Sequence, residues 1–238
     1  MGTHAFGSRA HLDATARPGV SVHWWWLGGG LALAFAVPFV FADVLEIDRD
    51  LFYGLYALAV GALFVAWSRS TGYDLLAAVK RRWVAAVLLG LASAGVLVAM
   101  VVRTEDATAR PDGIDLVGAV AWRGIVYGVT DGLLLSVFPI LVVFAAFAGS
   151  RLDQRLRGKL VIGIVALAAS LAMTGVYHAA YSDFRSDKMT KPLTGDVVWS
   201  VPTLLTLNPI GAPIAHAGLH TSAVIHSYET DTFLPPHR

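Results

Sequence analysis

The chain is predicted to be an all-α, polytopic transmembrane helix bundle, and three observations lead there. It has 238 residues of which 56% are hydrophobic and only 15% charged, whereas a soluble domain carries about a quarter charged residues. Its mean hydropathy is +0.62. Its apolar stretches run almost end to end and recur at the length of about 20 residues that a helix needs to cross a bilayer core about 30 Å thick.

The first 22 residues are polar and Gly/Ala-rich, with Arg9, Asp13 and Arg17, and read as a flexible tail rather than a signal peptide. Residues 23–228 form one bundle and 229–238 a C-terminal tail. Five spans are clear: roughly Trp24–Ala42, Leu51–Trp67, Trp83–Val102, Leu116–Phe147 and Leu160–Tyr181. The fourth exceeds one straight crossing, so Leu116–Ala121 is expected at the interface, with Gly124–Ala148 crossing. A sixth region, Val197–Tyr228, is broken by Pro202, Pro209 and Pro213 around Asn208. It reads as a half-helix or re-entrant piece followed by a helix from Gly211 to about Ser227, giving six to seven membrane segments. Lys and Arg concentrate in residues 68–82 and 149–159, while 43–50 holds one Arg among four acids. The positive-inside rule therefore expects a cytoplasmic N-terminus. Trp24, Trp25, Trp26, Trp67 and Trp83 stand at span ends, as an aromatic belt would.

A net charge of +1 and the lack of a basic tract exclude a nucleic-acid partner; the expected surroundings are the lipid bilayer and a membrane-embedded or lipid-like substrate. With no cysteine there is no disulfide, thiolate nucleophile or Cys-ligated metal. Any metal must be held by His, carboxylate or backbone groups. No phosphate-binding glycine loop or Gly-x-Ser-x-Gly elbow is present in a strand–helix context.

Chemistry concentrates on a few polar residues inside spans. Arg123, Tyr127 and Asp131 follow at four-residue steps, so they share a helical stripe. Beside it run Gly124, Gly128 and Gly132, a doubled Gly-x-x-x-Gly seam that admits a neighbouring backbone. An ionised Asp at the bilayer centre costs about 2.5–3.5 kcal/mol on insertion scales, so Asp131 needs a partner or a water-filled cavity. The last helix repeats the arrangement: His216 and His220 are one turn apart beside the small residues Gly211, Ala215, Gly218 and Ser222. Two imidazoles at that spacing suit a metal on one helix face, and His178 is the candidate third imidazole. Satisfaction by neighbours is the competing reading for each, including an internal Asp131–Arg123 ion pair. Bis-His haem ligation between His178 and a histidine of the last helix has no specific support in the sequence.

The order and span context of these motifs resemble the CPBP (Abi, CAAX-processing) family of intramembrane endopeptidases, whose three motifs are Glu-Glu-x-x-x-Arg, Phe-x-x-x-His and His-x-x-x-Asn. His178 and His216 match. The paired glutamates fall on Thr130 and Asp131, the arginine on Leu135, the phenylalanine on Thr174 and the asparagine on His220. The resemblance spans roughly residues 120–228 and implies a buried site that activates water for attack on a peptide carbonyl. One carboxylate with three imidazoles suits a divalent ion such as zinc, iron, manganese or copper better than a metal-free base.

The expectation is thus a membrane hydrolase, metal-dependent or CPBP-like, with Asp131, His178 and His216 catalytic. Asp131, His178, His216 and His220 are the metal ligands, and Arg123, Tyr127 and Asn208 are supporting residues. Two alternatives stand beside it: a proton- or ion-coupled transporter using the Pro-broken segment, and a non-catalytic binding relative of the same family.

Overall fold

The computed structural model describes residues 20–230 and 232–236. Most of the N-terminal tail therefore lies outside the described residues; Val20–Val22, assigned to it from sequence, already belong to the first helix. The described residues contain helices and no strand, and five helical stretches are long and apolar enough to cross a membrane: Val20–Val44, Arg49–Thr71, Trp83–Thr104, Gly113–Phe147 and Leu156–Ala179. This architecture fits an integral membrane protein.

Helix α1 (Val20–Pro38) ends at a proline and continues as a π-helical turn, Phe39–Val44. Helix α2 (Arg49–Thr71) starts at Asp48, whose carboxylate accepts from the backbone N–H groups of Asp50 and Leu51, and stops at Gly72 in the left-handed region, φ 68°. The short α3 (Leu75–Lys80) is capped by Asp74 in the same way. Next comes α4 (Trp83–Thr104).

The fourth span is one helical path of 35 residues from Gly113 to Phe147, with Leu116–Ala121 in its first turns. It is built of α5 (Gly113–Ala119), a π turn Val120–Val126, α6 (Tyr127–Gly132), a π turn Leu133–Val137 and α7 (Phe138–Phe147). Two π turns thus flank the single turn that carries Asp131, and such bulges are frequent at functional sites. The second has a cause in sequence. Pro139 crowds the carbonyl four residues back, on Leu135, and that carbonyl accepts instead from the Ser170 hydroxyl, 2.8 Å away on α8 (Leu156–Ala179).

The Pro-broken region is a helical hairpin. Helix α9 (Thr190–Thr206) begins well before the expected Val197, because Pro192 lies in the first turn, where its missing N–H costs nothing. Pro202 sits inside α9, and the carbonyl of Val198, four residues back, accepts from Ser93 of α4 at 3.1 Å. Leu207 turns left-handed, φ 53°, and α10 (Gly211–His226) returns antiparallel to α9. Asn208 locks this corner: its side chain donates to the carbonyls of Val79 and Arg81 and accepts from the N–H of Ile210.

Helix α10 is the centre of the packing. A Cβ on Gly124, Gly128 or Gly132 would lie 2.7–2.8 Å from Thr221, Ala217 and Pro213 respectively. The doubled Gly-x-x-x-Gly seam therefore runs antiparallel along α10 in four-residue steps, backbone against backbone. On another side Gly218 meets Ala94 of α4, at 2.7 Å from the same hypothetical atom. Trp67, expected in an interfacial belt, is instead fully buried against Tyr73 and Phe138. Trp25 and Trp83 are exposed, as a belt requires.

Candidate functional site

The glycine seam fixes the site. It brings the Asp131 turn of α6 against the middle of α10, where His216 and His220 project one turn apart, and all three side chains are buried. Asp131 Oδ2 lies 3.7 Å from His216 Nδ1 and 3.5 Å from His220 Nε2. One ligand atom from each of the three residues falls within 4.8 Å of the other two. The shorter separations exceed hydrogen-bonding length with good geometry and lie a few tenths of an ångström above the spacing of about 3.3–3.4 Å between ligands of one tetrahedral ion bound at about 2.0–2.1 Å, so the side chains would have to close in to share one.

Each group is oriented by partners behind it. The Tyr56 hydroxyl of α2 donates to Asp131 Oδ1 at 2.9 Å, which leaves Oδ2 turned towards the imidazoles. His220 Nδ1 lies 2.6 Å from the carbonyl oxygen of Phe233. A carbonyl only accepts, so Nδ1 carries a proton, and Nε2 is the nitrogen that faces Asp131. This carbonyl–imidazole arrangement is the one that fixes the tautomer of metal-binding histidines. His216 packs against the Trp199 ring, centroids 4.1 Å apart, and neither of its ring nitrogens has a hydrogen-bond partner among the described residues. The Nε2 of His220 is in the same position. Leaving buried polar atoms unpaired costs about 1–3 kcal/mol each, so the donor set is one that a ligand would satisfy.

His178 lines the same cavity, a space of about 30 Å³, but stands outside the three-residue group. Its Nδ1 donates to the Thr174 carbonyl at 2.8 Å, and its ring packs against Tyr177 and Phe184. The cavity has room for one or two small molecules the size of water. It opens towards the end of the bundle where α4 finishes and α9 begins, since Met100, Phe184 and Lys191 also line it. Lys191 is engaged there with Glu105 at 3.1 Å.

The supporting residues expected from sequence divide. Tyr127 is at the site, its ring edge-on to His220 with centroids 4.8 Å apart. Arg123 is not: its guanidinium makes two 2.9 Å contacts to the Asp50 carboxylate and a 2.7 Å hydrogen bond to Tyr228. The Asp131–Arg123 ion pair is thereby replaced by an Arg123–Asp50 pair. Asn208 is likewise away from the site, at the α9–α10 corner.

Several site residues carry no sequence signal that stood out. The hydroxyls of Tyr127 and Tyr177 are 2.6 Å apart, those of Tyr177 and Tyr181 3.0 Å, and Tyr53 stacks on Tyr127 at 4.2 Å. With Tyr56 they make a buried phenol wall behind Asp131. Pairs at i, i+3 on α2 and i, i+4 from the end of α8 were the available hint. The C-terminal segment is also part of the site. Leu234 is fully buried, Thr232, Phe233 and Pro235 line the cavity, and the Tyr53 hydroxyl donates to the Pro235 carbonyl. A second buried carboxylate, Asp196 on α9, accepts from Ser170 and Ser200 at 2.9 and 2.8 Å.

Fold and site together define a helical membrane-type bundle with an enclosed Asp–His–His group. Comparison with protein-family models, curated proteins and solved structures gives no match. The group could hold a metal ion through Asp131, His216 and His220.

Proposed function

We propose that this chain is a membrane-embedded, metal-dependent hydrolase in which Asp131, His216 and His220 hold one divalent cation. The observation that carries the reading is the set of three buried ligand atoms within 4.8 Å of one another, with Tyr56 and the Phe233 carbonyl fixing the ligand faces. A carboxylate with two imidazoles is a donor set for zinc, iron or manganese. A cation there supplies Lewis acidity, which acidifies a water and polarises a carbonyl. The chain's own groups do the rest. Asp131 and the two imidazoles would bind and orient the cation, Tyr127 lines the cavity beside them, and His178, its Nδ1 tied to the Thr174 carbonyl, stands at the same cavity as the proton-transfer group.

The resemblance to the CPBP family supports a hydrolytic role, since His178 and His216 stand where that family has histidines and Asp131 where it has a glutamate. The substrate class is a membrane-embedded peptide or lipid-like ester. The basic loops at 68–82 and 149–159 support a cytoplasmic N-terminus, which puts the cavity in the outward half of the bundle. The test is cleavage of membrane-tethered peptide and ester substrates by the purified protein. Activity should be lost on chelation, return with added zinc or manganese, and be absent in Asp131→Asn. Chelator-resistant cleavage that still needs Asp131 would replace the metal site with a metal-free base.

A second reading, an ion- or proton-coupled transporter, is favoured by Asp196, a further buried carboxylate one helix away whose Oδ2 has no hydrogen-bond partner among the described residues. Proton-coupled flux in proteoliposomes, abolished by Asp196→Asn, would establish it in place of the hydrolase.

A further inference from the structure

At the opposite end of the bundle from Asp131, where α4 and α8 begin and α9 ends, a groove of about 820 Å³ opens between α8 and the α9 terminus. Its head is basic: Arg81, Arg82 and Lys159 line it, against the single carboxylate of Asp153. All three cations are exposed. Its body is apolar. Leu160, Ile164 and Leu167 follow at i, i+4 and i+7 along α8 and face Leu204 and Leu205 of α9 across the groove. Leu160, Ile164 and Leu205 are 61%, 69% and 59% exposed, an apolar wall left open.

Two further features make the head attractive to an anion. The N-termini of two long helices, α4 at Trp83 and α8 at Leu156, lie at this end, and each contributes the positive pole of its dipole. The opposing negative pole of α9 is partly occupied, because Arg82 Nη1 donates to the Leu205 carbonyl at 3.3 Å. A free phosphate would use the head and ignore the wall. A plain hydrocarbon chain would do the reverse.

We propose that this groove is a binding site for an anionic phospholipid, its phosphate held by Arg81, Arg82 and Lys159 and an acyl chain lying along Leu160, Ile164 and Leu205. Basic recesses between membrane helices favour anionic over zwitterionic headgroups because each cation near the surface adds attraction that a net-neutral headgroup does not gain. The groove is large enough for a headgroup with the first part of its chains and does not depend on the chemistry at Asp131.

The test is native mass spectrometry and thermal unfolding of the full chain in neutral detergent, with dioleoyl phosphatidylglycerol, dioleoyl phosphatidylcholine or inorganic phosphate added. The expected result is retention of phosphatidylglycerol about tenfold better than phosphatidylcholine, a matching rise in Tm, and an advantage that shrinks as salt rises. The triple change Arg81→Gln, Arg82→Gln, Lys159→Gln should bring the two lipids level, while Lys188→Gln, whose partner is Asp183, should leave the preference intact. Equal retention of both lipids by the wild-type chain would overturn the proposal, and needs no variant to fold. Stabilisation by inorganic phosphate equal to that by the anionic lipid would overturn it too.

Discussion

Replacing Tyr56 by Phe removes one oxygen from the wall behind Asp131 and little else. The ring is fully buried, stacked on Phe52 at 5.8 Å and beside Tyr127 and Tyr177 at 5.8 and 5.6 Å, so Phe fills the same space. What is lost is the 2.9 Å hydrogen bond to Asp131 Oδ1. A hydrogen bond to a charged group contributes about 1.5–3 kcal/mol, equivalent to about ten- to a hundredfold in an equilibrium constant. That is also the range in which partners behind metal ligands act on affinity. With Oδ1 unpaired, the carboxylate is free to rotate, and Oδ2 is no longer held towards His216 and His220. Tyr56→Phe should therefore weaken zinc binding about ten- to a hundredfold, measured by competition with a chromophoric chelator in detergent at fixed pH, while the protein elutes as wild type. Unchanged affinity in a correctly folded variant would refute the claim that Tyr56 orients a metal-binding carboxylate.

Three further outcomes follow from the same geometry. Gly128→Ala puts a methyl 2.8 Å from the Ala217 Cα on α10, so the backbones must part and thermal unfolding should show a loss of about 1–3 kcal/mol; Gly163→Ala, with nothing within 4 Å, should be neutral or slightly stabilising. Ending the chain after Thr230 removes the Phe233 carbonyl from His220 Nδ1, and metal affinity should drop about tenfold or more, read by the same competition assay. Because imidazole ligands must be unprotonated, bound metal should be released progressively as the pH is lowered through the acidic range, followed by metal analysis after equilibration at each pH. Protons compete for the lone pairs that the ion uses, so retention rises with pH across that window.

How much of this was legible beforehand depends on how locally each feature is encoded. The doubled Gly-x-x-x-Gly stripe is a property of one helix, and it does admit a neighbouring backbone, that of α10 at Thr221, Ala217 and Pro213, whereas the stripe of small residues read on α10 turns elsewhere, Gly218 to Ala94 of α4 and Gly211 to Pro202. That seam is why Asp131 and the His216/His220 pair, each readable as a polar stripe beside small residues, come together. Arg123 shows the limit of the same reasoning. Its four-residue offset from Tyr127 presumes regular α geometry, but the intervening turn is π-helical, and its strongest partner, Asp50, lies on another helix 73 residues away. Asn208 stands out in sequence by the prolines around it, and its side chain holds the corner they make. Tyr56 and Phe233 are not legible in the sequence, because a hydroxyl or carbonyl supplied from a distant segment leaves no periodic trace. The C-terminal residues have neither length nor hydrophobic period to suggest packing, yet Leu234 is fully buried. The early start of α9 was hidden by Pro192, which reads as a breaker unless it falls in a first turn.

The proposed function stands on Asp131, His216 and His220 sharing one metal ion. The most direct measurement is the metal content of the detergent-purified chain by elemental mass spectrometry, after removal of loosely held ions. The expected result is about one divalent ion per chain in the wild type and none in His216→Ala/His220→Ala, with Arg123→Ala, whose partners are Asp50 and Tyr228, unchanged. A wild-type protein that folds, binds no metal and takes up none from zinc, iron or manganese would contradict it.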